Sequence, residues 1–191
     1  GYPEVVTDNN GVIYAIWSAS HQIGTGFDWY SQIEYRKSYD GGSTWTDIEI
    51  LTPDFETMRI FEIKAVCDPE NKIHLVFGRD FSGHTYYNYM THEDNSGWSS
   101  TKTIVDSYNC FSLKVELSSE KVLFMTWYNS VYSFLKYYDM KDTDSYWSEP
   151  IKLSEDNYII KNISVDSVSN LYGIGTSYFY DEVLHTYICR P

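Results

Sequence analysis

The sequence predicts an all-β protein built from about four repeats of an antiparallel four-stranded unit, the last of them incomplete. Three observations carry that expectation. A turn-and-strand pattern recurs four times, a Tyr and a Trp follow three of the copies at nearly fixed separation, and no stretch shows a sustained 3.6-residue apolar period with helix caps.

The first copy is Asp8-Asn9-Asn10-Gly11 followed by Val12-Ile13-Tyr14-Ala15-Ile16-Trp17, a turn leading into an apolar strand. The pattern returns without gaps from Asp68, from Ser118 and, more weakly, from Asp166, at spacings of 60, 50 and 48 residues. That period suits the four-stranded blades of a β-propeller, expected at about 1–51, 52–105, 106–154 and 155–191. The second strand of each unit is apolar on both faces, as a strand packed between neighbouring sheets must be. Tyr35 and Trp45, Tyr89 and Trp98, and Tyr137 and Trp147 mark a third strand and the turn after it. Polar-start outer strands are expected next, at 46–51, 99–105 and 148–153. Tandem sandwiches would not explain this fixed register.

The fourth repeat stops at Cys189-Arg190-Pro191 without an outer strand or its Trp, and only about seven residues precede Asp8. The ring is therefore expected to stay open in this chain, and exposed edges are expected to invite self-association. The start at Gly1-Tyr2-Pro3, without an initiator Met, leads to the expectation of a processed or excised piece.

The formal net charge of −13 argues against a nucleic-acid backbone or an anionic membrane surface as partner, because like charges repel. No apolar run is long enough to span a bilayer. Cys67, Cys110 and Cys189 have no metal-type spacing and read as free thiols. No cofactor and no metal are expected.

The sharpest motif is Ser38-Tyr39-Asp40-Gly41-Gly42-Ser43-Thr44-Trp45, in which a carboxylate can accept turn amides and glycines permit positive φ. Its Trp is expected to pack under the hairpin. Degenerate copies end at Trp98 and Trp147. With this motif the chain resembles the sialidase-like superfamily of Asp-box (bacterial neuraminidase repeat) β-propellers. The resemblance implies that Ser38, Asp40, Gly42, Thr44, Trp45, Trp98 and Trp147 are architectural, on the face away from any ligand.

It also implies a ligand face where the second-to-third-strand loops (19–31, 78–84, 128–132 and 176–181) meet the linkers between units. Candidate ligand residues there are Asp28, Trp29, Tyr30, Arg59, Arg79, Asp80 and Tyr132, aromatic platforms beside charged groups of the kind that suit sugars. His21 and His84 read as polar loop residues. A sialidase of this superfamily holds its substrate carboxylate with three arginines. Here only Arg59 and Arg79 of four fall on the expected face, and the Arg-Ile-Pro motif is absent. The expectation is an extracellular glycan-binding module. The alternatives are a piece of a glycoside hydrolase or polysaccharide lyase, with Asp28, Arg79, Asp80 and Tyr132 as first candidates, or a structural, protein-binding propeller.

Overall fold

A computed structural model describes residues 3–22, 29–52, 55–56, 59–142, 146–154, 158–166, 170–181 and 186–190, with the backbone alone described at 29–30, 55–56, 158, 176–181 and 186–190. All regular structure among these residues is antiparallel β, and no helix is long and apolar enough to cross a membrane. The chain divides into two compact units, Gly1–Tyr108 and Asn109–Pro191.

Unit one holds two sheets. Sheet one runs β1 (Glu4–Thr7), β2 (Ile13–Gln22), β3 (Trp29–Ser38), β4 (Glu49–Ile50), with β5 (Phe55–Glu56) also on β3. Sheet two contains β6 (Arg59–Cys67), β7 (Ile73–Phe81), β8 (His84–Glu93), β9 (Gly97–Trp98) and β10 (Lys102–Tyr108), in the order β6, β7, β8, β10, with β9 also on β8. Unit two holds sheet three, β11 (Phe111–Leu117), β12 (Val122–Tyr128), β13 (Ser133–Asp139) and β14 (Ile151–Lys152). It also holds a three-stranded sheet four, β15 (Tyr158–Val165), β16 (Leu171–Asp181) and β17 (Thr186–Arg190).

The repeated turn has one physical design. Residue i is Asp8, Asp68, Ser118 or Asp166, and its side-chain oxygen accepts the amide of residue i+4 at 2.8, 2.8, 3.0 and 2.8 Å. Its own amide donates to the carbonyl of i+4 at 3.0, 2.9, 2.9 and 3.1 Å. In the first three copies residue i+3 takes positive φ, at Gly11 (83°), Asn71 (68°) and Lys121 (62°), the left-handed step that returns the chain into the second strand.

A second local device follows each Trp. The hydroxyls of Thr46, Ser99 and Ser148 each accept an amide of the third strand, from Lys37, Thr91 and Tyr137, all at 3.0 Å. Their amides donate back to the carbonyls of the same three residues. These clips hold the outer segment in place with little ladder. The outer strands therefore differ from expectation: β4 and β14 have two residues each, whereas β10 runs on to Tyr108.

The strands also extend past the expected loops. Segment 78–84 is a two-residue turn between paired strands, and 19–22 and 29–31 belong to the β2/β3 ladder. The core of unit one lies between its sheets: Tyr14, Ile16, Ile33 and Tyr35 pack on Ile60, Ile63, Ala65, Ile73, Leu75, Phe77 and Met90. Lys64 pairs with Glu4 across it at 2.9 Å, and Asn9 donates to the Asp68 and Pro69 carbonyls of the neighbouring turn. Cys67 and Cys110 are free thiols.

Candidate functional site

The turn at 38–45 is closed by its own groups. Asp40 Oδ1 accepts the Thr44 amide at 2.8 Å and the Ser38 hydroxyl at 2.9 Å, and Oδ2 accepts the Thr44 hydroxyl at 2.6 Å. These bonds, those from Thr44 foremost, push the carboxyl down to about 2. Gly41 and Gly42 take φ of 70° and 92°. The Trp45 indole does not pack beneath the hairpin as expected. It is 39% exposed and lies against its own turn, its N–H donating to the Gly42 carbonyl at 3.1 Å. Trp98 is half-buried, edge-on to His92 at 5.0 Å and to Tyr35 at 5.8 Å. Trp147 lies 5.8 Å from the Tyr138 ring.

The ligand candidates are brought together only in part. Asp28 lies outside the described residues, as do the side chains of Trp29 and Tyr30, whose backbones open β3 opposite Gln22 and His21. Arg59 is exposed at the start of β6 and faces Asp80 across the ladder. Arg79 faces Ile60 and Tyr86 instead. Adjacent strand residues point to opposite faces, so Arg79 and Asp80 serve different sides of sheet two. Tyr132 belongs to unit two, with the Lys152 ammonium 3.7 Å from its ring centre.

What the register does gather is an aromatic and charged cluster at one end of sheet two. His84 pairs with Tyr108, and Tyr86 pairs with both Arg79 and Asp106, so these side chains share a face. His84 is edge-on to Tyr108 at 4.2 Å and 4.7 Å from Tyr86, and its Nε2 is 3.2 Å from Asp106 Oδ1. The Arg79 guanidinium lies 5.7 Å from the Tyr86 ring and donates to Asn88 Oδ1 at 2.9 Å, with burial holding it below its ordinary value. Tyr108 is 65% exposed. Beside the cluster, Arg79 lines a cleft of about 410 Å³ with Leu51, Met90 and the hydroxyls of Ser99, Ser100, Thr101 and Thr103. Asp106 and Tyr108 fall in a linker expected on the ligand face, at 106–111, but were not among the named candidates. They sit in the extension of β10 beyond the expected outer strand.

A second constellation lies on the face of sheet one turned away from the core. Glu34 is buried and accepts from Gln32 at 2.7 Å and from the Trp17 indole at 3.1 Å, with His21 Nε2 at 3.0 Å. Burial by itself would raise this carboxyl, but the bonds from Gln32, His21 and Trp17 outweigh it and hold the group below its usual value. His21 is thus a strand residue in a network rather than a loop residue. Among the described residues no cluster of three His, Cys, Asp or Glu gathers to hold a metal.

No family model matches the chain, and no curated protein matches it in sequence. Among solved structures it is similar to a Hadza microbial sialidase, with a TM-score of 0.60 and 14% identity over 81% of this chain and 34% of that one. It is also similar to a mannose phosphorylase from Leishmania mexicana, with a TM-score of 0.46 and 12% identity over 91% of this chain and 51% of that one. The chain thus spans about a third of the sialidase and half of the phosphorylase. At this identity the sialidase comparison establishes a sialidase-like fold.

Proposed function

We propose that this chain is a propeller-type, extracellular glycan-binding module whose sugar site is the cluster at the end of sheet two. The observation that carries the reading is the exposed Tyr108 ring set edge-on against His84, with His84 held by Asp106. A flat apolar ring beside groups that exchange hydrogen bonds with hydroxyls matches the two sides of a sugar, its C–H face and its rim. Asp106, positioned by His84, supplies an acceptor at the rim, and Arg79 adds a fixed cation. Arg59 and Asp80 offer a further polar edge on the reverse side of the sheet. Meander sheets of four strands, repeated with the same turn, support the propeller reading.

Binding of the full chain to a panel of immobilised glycans, followed by calorimetry on the best ligand, tests the site. Tyr108→Ala is expected to weaken binding about tenfold or more, the scale of one lost aromatic stack with its burial. Asp106→Asn is expected to weaken it less and to leave stacking intact. Unchanged affinity in both variants would overturn the assignment of the site. Absence of binding to any glycan would favour a structural, protein-binding role.

A further inference from the structure

The repeat grammar assigns two sheet faces that this chain leaves open. Positions i+5 to i+9 along the second strand are equivalent between repeats. On one face, position i+6 is Tyr14, His74, Phe124 and Tyr172, and position i+8 is Ile16, Val76, Thr126 and Ile174. Ile16, Val76 and Thr126 are 0 to 1% exposed, whereas Ile174 is 75% exposed; Tyr14 and His74 are buried and Tyr172 is 57% exposed. On the other face, position i−3 of the first strand is Val5, Ala65, Val115 and Ile163, with exposures of 63, 8, 7 and 3%. Positions i+5, i+7 and i+9 are fully buried in the second and third repeats, yet Ile13, Ala15 and Trp17 are only half-buried in the first. Among the described residues, sheet one is thus uncovered on its i+7 face and sheet four on its i+8 face at Tyr172 and Ile174.

Those faces are complementary in kind. Within unit one, the i+6 and i+8 face of sheet one packs on the i+5 and i+7 face of sheet two. Within unit two, sheet three meets sheet four in the same sense: Ser133, on the i+8 side of its sheet, accepts the Ile160 amide at 3.2 Å. In each unit the i+8 side of the first sheet thus meets the second sheet.

We infer that the open i+8 face of sheet four, centred on Ile174 and Tyr172, docks on the open face of sheet one, centred on Val5 and Trp17, of a second copy of this chain. The contact is heterologous: two different faces meet, and each copy offers both. The occupant is a second copy because its sheet one supplies a face of the same kind that the covered repeats use.

The test is the solution mass of the full chain by sedimentation equilibrium over a concentration series. The wild type is expected to self-associate. Ile174→Lys and Val5→Lys, each placing an ammonium in an apolar contact, are each expected to weaken association at least tenfold while keeping the wild-type circular dichroism and melting temperature. A mixture of the two variants is expected to restore association and to stop at one-to-one pairs, since each supplies the face the other has lost. A wild type that stays monomeric would overturn the proposal. So would a mixture that fails to associate, or association blocked by Val5→Lys and untouched by Ile174→Lys, which would place two copies of sheet one against each other. If either lysine variant fails to fold, Ile174→Ser and Val5→Ser carry the same comparison.

Discussion

Asp68→Ala is expected to lower the unfolding free energy by about 3 kcal/mol, the cost of leaving two buried polar groups without partners. Asp68 Oδ1 accepts the Lys72 amide at 2.8 Å, and Oδ2 lies 3.1 Å from His74 Nε2. On the far side His74 Nδ1 is 2.6 Å from the Tyr89 hydroxyl. All three side chains are buried. A neutral imidazole satisfies the line: its Nε2–H donates to the carboxylate and Nδ1 accepts the Tyr89 proton. Removing the carboxylate strands the amide and the imidazole N–H together. Tyr89→Phe removes one donor only and is expected to cost about 1 kcal/mol. Urea unfolding followed by tryptophan fluorescence measures both, and equal losses in the two variants would show that the network is not organised around Asp68.

The same histidine sets a pH dependence. Burial, working against the attraction of Asp68, holds His74 below its ordinary value, and burial also lowers His92. A lowered folded-state value favours the neutral ring, so its contribution is fully present above the unfolded value of about 6.5 and is lost as pH falls through the folded one. Stability is expected to decline below about pH 6.5, by up to about 1.4 kcal/mol per pH unit for each such ring. The Glu34 carboxyl acts in a lower window, from its unfolded value downwards. A urea midpoint that stays flat between pH 7 and pH 5 would contradict the assignment for the histidines.

Gly78→Ala is expected to be the costliest single-methyl change in unit one, at about 1–3 kcal/mol. A Cβ at this position would sit 2.7 Å from Phe61 Cζ and 2.9 Å from Cε1. Gly78 pairs with Phe61 across the β6/β7 ladder, and the Phe61 ring is backed by Tyr87 at 6.2 Å, whose hydroxyl is bonded to Glu62. The ring therefore has a neighbour behind it and a backbone in front. The double variant Phe61→Leu, Gly78→Ala is expected to recover most of the loss, because the aromatic edge is what the new methyl meets. Strictly additive costs in that double-mutant cycle would mean that Gly78 is needed for some other reason.

Much of the architecture was legible in the sequence because it rests on short-range hydrogen bonds. Asp8, Asp68, Ser118 and Asp166 were aligned by pattern, and each binds the amide four residues on. The polar residue after each Trp was visible as well, and its hydroxyl clips the strand beside it. The turn residues Ser38, Asp40 and Thr44 bond to one another within a few positions, so spacing alone carries their chemistry.

The candidate site was legible only in fragments. Arg79 and Asp80 are neighbours in sequence, but strand alternation sends them to opposite faces once the segment pairs. Tyr108 joins His84 through a ladder between residues 24 apart, set by the bulge between Thr103 and Val105. His21 reaches Glu34 for the same kind of reason, across β2 and β3. The sequence by itself determined the repeat, its turns and the order of its strands, since each follows from contacts within a few residues. Only the tertiary structure decided which side chains share a face, because a shift of one residue in pairing turns every side chain of a strand to the other side.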